Sequence, residues 1–304
     1  MANLKAIRKR ISGAKNTQKI TRAMKMVSAA RLNRAQQRIL AIRPYAVKTA
    51  QVLAEVAAPR GDEGASGSAA DHPLLERRAE KNVLFIVITS DRGLCGAFNS
   101  SILRAAERLW REREAQGVNV KFAVIGRRGR DYLRRRGAPV LKNFEGIWER
   151  LDLEQARGIA REVLRPFIAG EIDALYLVYN EFKSAMTQKV VAEPLFPLKT
   201  PEGVSERVKK AEEWDREREF LFEPDRGALL ERLVPMYVEI TLLRALLESM
   251  ASELGARMTA MDSATKNAAE MISKLTLDYN RARQAAITTE LMEIIGGAEA
   301  LREA

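Results

Sequence analysis

The 304 residues predict an α/β protein with two unusually long helices, and three observations carry that prediction. At each end of the chain, apolar and small residues recur in alternating steps of three and four, the period of a helix seam. Between the ends the period changes, and short continuous apolar runs alternate with helix-like sequence. Charge is also uneven. Residues 1 to 58 hold 13 Lys and Arg against one acid, Glu55, whereas residues 59 to 232 hold 31 against 29 and residues 233 to 304 hold 7 against 10. The net charge of +11 therefore belongs to the first segment, which suits an acidic partner: nucleic acid, anionic lipid or an acidic protein surface.

Residues 1 to 58 read as one long helix with no proline before Pro44. Its seam begins Leu4, Ile7, Ile11, Ala14 and passes through Thr17, Ile20, Met24 and Val27. There it skips a step, which implies a local change of supercoil, and resumes as Leu32, Ala35, Ile39, Ile42, Ala46, Thr49, Leu53 and Val56. Pro44 predicts a kink, since proline removes a helix hydrogen bond. An Arg-rich, acid-poor start also describes an organelle transit peptide, but the pattern runs on past residue 50 and shares its period with the other end of the chain.

Residues 59 to 80, rich in Gly, Ser, Ala and charge and holding the single histidine, His72, form a linker by composition. Residues 81 to 200 form the α/β domain. Val83 to Ile88 suits a strand buried on both faces. A helix from Ser100 to Gln116 follows, then a strand from Val120 to Ile125, a basic helix around Asp131 to Arg136 and a weak strand at Val140 and Leu141. A helix from Leu153 to Ile168 leads to a strand from Ala174 to Tyr179, and Ala185 to Glu193 closes the domain as an antiparallel edge. That alternation predicts an open, Rossmann-like, mostly parallel sheet.

Residues 201 to 228 are a charged insertion carrying Trp214, Phe220 and Phe222. Residues 229 to 304 hold the second long helix, Leu233 to Ile295, roughly 95 Å at about 1.5 Å per residue. Its seam runs Leu243, Leu247, Met250, Leu254, Met258, Met261, Thr265, Ala268, Ile272, Leu275, Tyr279, Ala282 and Ala286, and Gly296-Gly297 predicts its end. Neither long helix has a core of its own, so each is a natural partner for the other.

Chemistry is sparse. One cysteine, Cys95, excludes an internal disulfide, and one histidine leaves little for metal or triad work, so no catalytic, cofactor or metal site is expected. No apolar run reaches the 18 or so residues of a membrane span. Thr89 to Gly96 follows a strand where an α/β fold places ligands, but its G-x-x-G spacing is not a phosphate-loop pattern; a tight turn with Ser90 or Asp91 capping the next helix is favoured. The arginines at 127, 128, 130 and 134 to 136 lack aromatic interleaving and read as a solvated face. The informative cations are Arg8, Lys15 and Arg22, which recur at intervals of seven along one flank of the N-terminal seam and can attract an acidic surface within about 10 Å.

Four motifs, in order, resemble the gamma subunit of F-type ATP synthases, the central-stalk rotor. They are Asn16 to Val27 (NTQKITRAMKMV), Ser90 to Gly96 (SDRGLCG), Ala256 to Met261 (ARMTAM), and Tyr279 to Ala298, containing Ile287-Thr288, Glu290, Glu293 and Gly297-Ala298. The resemblance implies an antiparallel coiled coil of the terminal helices with the α/β domain at its base. It also implies a non-catalytic shaft within a ring of alpha and beta subunits, resting on epsilon and the membrane c-ring, on the cytoplasmic face of a bacterial inner membrane. Ion flow would turn it and cycle the catalytic beta subunits through their conformations. By motif position it implies beta-subunit contacts at Arg283, Gln284, Arg257, Met24 and Lys25, beside the stripe of Arg8, Lys15 and Arg22. An apolar bearing tip would hold Ile287, Leu291, Ile294 and Ile295. The 59–80 and 202–226 stretches depart from a compact member as insertions. The alternatives are a basic coiled-coil nucleic-acid-binding protein, which the near-balanced charge of the middle segment opposes, and a small α/β enzyme with coiled-coil arms, which lacks a catalytic constellation.

Overall fold

A computed structural model describes residues 4–57, 78–197, 223 and 226–303. Most of the 59–80 linker with His72, and most of the 201–228 insertion with Trp214, Phe220 and Phe222, lie outside the described residues. Ten elements follow in order: α1 (Leu4–Ala57), β1 (Asn82–Ile88), α2 (Phe98–Ala115), β2 (Asn119–Ile125), α3 (Arg127–Arg135), β3 (Val140–Phe144), α4 (Leu153–Ile168), β4 (Ala174–Phe182), β5 (Gln188–Phe196) and α5 (Arg226–Glu303). They divide into two compact units, residues 1–29 with 257–304, and residues 30–256.

The larger unit is built on a five-stranded sheet of order β3-β2-β1-β4-β5. The first four strands are parallel, and β5 runs antiparallel to β4. Strand alternation sorts the side chains to two faces. Leu84, Ile86, Ile88, Leu175, Leu177 and Tyr179 pack with α4 and with Leu53, Val56, Val234, Val238 and Leu242 of the long helices. Val83, Phe85, Val87, Phe122 and Val124 pack with Phe98, Ile102 and Ala106 of α2 and Leu133 of α3. A central strand covered on both sides is why Val83 to Ile88 reads as an unbroken apolar run. Helix α5 also comes close to the end of β4 and the turn after it. Ser252 Oγ donates to the Asn180 carbonyl at 3.1 Å, and a Cβ on Gly255 would stand 3.2 Å from the Ala185 backbone.

Two expectations need correction. Helix α5 does not stop at Gly296-Gly297 but continues to Glu303. A glycine costs a helix about 1 kcal/mol, which weakens it without ending it when no competing cap follows. Helix α1, as expected, extends past Pro44 to Ala57. Strand β5 lies three residues later than expected and accommodates Pro194, as an edge strand can.

Candidate partner-contact surfaces

The smaller unit pairs the start of α1 with the last part of α5. Thr265 Oγ1 lies 2.8 Å from Thr21 Oγ1, and Lys25 Nζ lies 2.5 Å from Asp262 Oδ1, so the helices run antiparallel. The same offset sets Ala14 against Ile272, Ile11 against Leu275 and Ile7 against Tyr279, all shielded positions. The α5 seam is the one read from the sequence. The α1 seam is not: there is no skip. Thr21 and Ser28 are buried at 8% and 3% exposure, whereas Ile20 and Val27 are exposed at 60% and 53%. The buried phase is Leu4, Ile7, Ile11, Ala14, Gln18, Thr21, Lys25, Ser28, Leu32 and onward, an unbroken alternation of three and four. Four polar residues in succession hid it, because hydropathy favoured the neighbouring Ile20, Met24 and Val27.

Two of these polar seam positions, Thr21 and Lys25, meet partners on α5. Thr265 donates to the Met261 carbonyl at 2.7 Å and meets Thr21 across the seam. Asp262 accepts from Lys25 and also pairs with Lys266 at 3.1 Å; the hydrogen bond from Lys25 is the chief reason its carboxyl is held below the usual range. Lys25, one of the expected partner contacts, is thus half-shielded and engaged inside the unit, and Met24 beside it is half-buried. Arg8, Lys15 and Arg22 stand exposed, as do Arg283 and Gln284. Ile287, Leu291, Ile294 and Ile295 are more than half exposed. Arg257 is half-buried.

In the larger unit, the Thr89–Gly96 turn lies at the carboxyl edge of the parallel strands, where doubly wound folds seat ligands. Its polar groups face inward instead. Asp91 Oδ1 accepts from the Arg127 amide at 2.9 Å, the Ser90 carbonyl from the Arg128 amide at 3.2 Å, and Thr89 Oγ1 from the Gly129 amide at 2.9 Å. Asp91 therefore caps α3, not α2, which corrects the expected capping; α2 begins with no side-chain cap. The amides that could hold a phosphate at the start of α3 are already occupied by the chain. Gly126, at φ 94°, is required: a Cβ there would stand 2.3 Å from the Thr89 oxygen. Trp148 donates its indole N–H to the Thr89 carbonyl at 3.0 Å, and Cys95 is buried with its Sγ 3.2 Å from Asn99 Nδ2. Arg130 of α3 pairs with Asp131 and Glu145, and Arg136 just after the helix with Glu107. Among the described residues no group of three or more His, Cys, Asp or Glu could hold a metal ion.

One polar cluster escaped the sequence reading. Arg244 on α5 joins Glu193, Tyr179 and Glu248 where the helix crosses β4 and β5. The i,i+4 Arg244–Glu248 spacing on a helix otherwise apolar at those turns was the available signal.

One unit of paired helices carrying exposed basic and apolar surface, and one α/β unit whose ligand edge is filled by its own chain, suit a subunit of a larger assembly. The family model described as ATP synthase matches residues 3–301. The chain is 57% identical to the ATP synthase gamma chain of Sorangium cellulosum (strain So ce56), covering all of both chains. It is 49% identical to that of Geotalea uraniireducens (strain Rf4), over 99% of this chain and 100% of the relative. The chain belongs to the gamma chain family of ATP synthases. Among solved structures it is similar to a chain of the central stalk and c-ring of the Tetrahymena thermophila mitochondrial ATP synthase, with a TM-score of 0.58, 26% identity, and coverage of 81% of this chain and 99% of that one. A chain of the Euglena gracilis mitochondrial ATP synthase OSCP/F1/c-ring assembly matches with a TM-score of 0.64 at 20% identity, over 98% and 94%, and bears on the fold alone. Membership makes this chain the non-catalytic rotor shaft of an F-type ATP synthase, a peripheral part of a membrane-associated complex. No helix among the described residues is long and apolar enough to cross a membrane.

Proposed function

We propose that the chain turns inside a hexamer of alpha and beta subunits, rests with epsilon on the membrane c-ring at the cytoplasmic face of a bacterial inner membrane, and couples ion flow to the cycling of the beta sites. The terminal helices, residues 1–58 and 229–304, form the shaft. Residues 81–200 form its base, with 59–80 and 201–228 as accessory segments. Arg283 and Gln284 hydrogen-bond a beta-subunit loop. Arg257, Met24 and Lys25 with the stripe of Arg8, Lys15 and Arg22 face acidic beta surface, and Ile287, Leu291, Ile294 and Ile295 turn in an apolar collar.

The observation that carries this reading is the exposed run of Ile287, Leu291, Ile294 and Ile295, which this chain leaves uncovered. From Ile287 to Ala298 there is no basic side chain, so the apolar positions of the tip are flanked by one sign of charge alone, Glu290 and Glu293. Arginine and glutamine just before the tip supply directional hydrogen bonds, the complement to a smooth end.

Reconstitution tests it. Purified chain mixed with cognate alpha and beta subunits gives a complex of three alpha, three beta and one of this chain that hydrolyses ATP. Arg283→Ala/Gln284→Ala lowers the rate about tenfold, the effect of losing one charge-assisted hydrogen bond. Failure of the wild-type chain to assemble overturns the shaft reading; an unchanged rate in the double variant overturns only the contact assignment.

A further inference from the structure

The Arg244 cluster serves none of the partner contacts. Arg244 Nη2 donates to both oxygens of Glu193 at 2.9 and 2.8 Å, and the Tyr179 hydroxyl donates to Glu193 Oε2 at 2.9 Å. Nη1 of the same arginine lies 3.4 Å from the Tyr179 hydroxyl and 3.4 Å from Glu248 Oε1. The Glu248 side chain is only 14% exposed, and its second oxygen, Oε2, is buried with no hydrogen-bond partner.

Charge does not balance here. The groups acting on Glu248 are Arg244 from its own helix, Glu181 from β4 and Glu193 from β5. Arg244 is committed to Glu193 by two short bonds, and Glu181 stands across the antiparallel pair from Lys189. Arg244 thus meets two carboxylates, holding Glu193 by the short pair and Glu248 by one longer contact of 3.4 Å. An ionised carboxylate with one oxygen sealed from water and unbonded is costly, and the neutral acid carries a smaller penalty.

We propose that Glu248 is a proton-binding site that fastens α5 to the β4–β5 edge, holding its proton while the helix is seated and loosening that seat when the proton leaves. Burial pushes its carboxyl above the ordinary glutamate range, Arg244 pulls it back, and Glu181 and Glu193 raise it further. A raised value means that the folded chain binds the proton more tightly than the unfolded one. The stabilisation is complete below the ordinary glutamate range and is lost as pH rises through the raised value. Seating of the shaft helix on the sheet then follows local proton activity, at a site remote from the helix tip.

The test titrates the full chain, labelled with carbon-13 at the glutamate carboxyls, by nuclear magnetic resonance, together with hydrogen exchange of residues 188–196 and 244–252. One carboxyl titrates above the exposed glutamates and disappears in Glu248→Gln. Exchange of both segments, corrected for intrinsic rate, accelerates in the wild type above that titration and stays slow in Glu248→Gln. Glu181→Gln moves the titration downward, and decides the matter should Glu248→Gln fail to fold. A Glu248 signal that titrates with the exposed glutamates, or a Glu248→Gln chain with the wild-type pH dependence of exchange, overturns the proposal.

Discussion

The helix pair of the smaller unit and the sheet of the larger one use apolar residues in opposite ways. In the sheet, β1 is covered on both faces and no side chain from Val83 to Ile88 is more than 1% exposed. In the helix pair a single seam is shielded, half of the α1 side of it is polar, and large apolar residues such as Ile20, Val27, Met271 and Leu277 face outward. The sheet is thus complete within the chain, and the pair has apolar surface to spare. Structure that closes its own core and structure that leaves apolar surface uncovered carry different exposures.

That contrast is easiest to break in the sheet. Phe85→Ala, which empties a site bordered by Phe122 and Tyr176, should cost about 3–5 kcal/mol, and Gly126→Ala a comparable amount through its left-handed backbone and the Thr89 oxygen. Urea unfolding read by the fluorescence of Trp110, which meets Phe122 edge-on at 5.6 Å, measures both. The helix pair should respond less. Leu275→Ala, at a buried seam position, should cost about 2 kcal/mol, the low end for such a truncation because the seam is only one side chain deep. Faster hydrogen exchange in residues 268–282, with the sheet unchanged, would show it.

Smaller still is the expected effect of Ile20→Ser or Val27→Ser, within about 0.5 kcal/mol in the isolated chain, since both side chains already face solvent. A cost like that of Leu275→Ala would restore the skipped seam and overturn the continuous one. The least effect is a pH dependence. Because Asp262 is held below the ordinary aspartate range by Lys25 and then Lys266, its contribution is present above that range and fades as pH falls through the depressed value. Asp262→Asn should remove this slope from the acid side of the exchange profile of residues 257–270.

The sequence displayed most of this fold because its strongest signals are periodic. Strands Val83–Ile88 and Val120–Ile125, helix Leu153–Ile168 and the α5 seam through Ala286 were legible to within a residue or two, since each buries a regular set of positions. What hid was hydrogen-bonded instead of apolar. Thr21 and Ser28 are seam residues without hydropathy, and Asp91 caps a helix 36 residues away, beyond any local pattern. The Glu193–Arg244–Glu248 cluster joins residues on separate elements that only tertiary structure brings together. The contacts proposed for Arg283 and Gln284 rest on motif alone, for an exposed pair on a helix carries no periodic mark.

The occupied amides at the start of α3 bear on how such a domain can change over time. A doubly wound sheet ordinarily keeps its carboxyl edge open to small molecules, so a few substitutions can create affinity for a metabolite. Here Thr89, Ser90 and Asp91 satisfy that edge from within, and the backbone fit at Gly126 leaves no room to rebuild it piecemeal. Drift on the surface of this domain is thereby insulated from the accidental gain of a nucleotide site, which would set a free metabolite competing with the machine for control of its own axle.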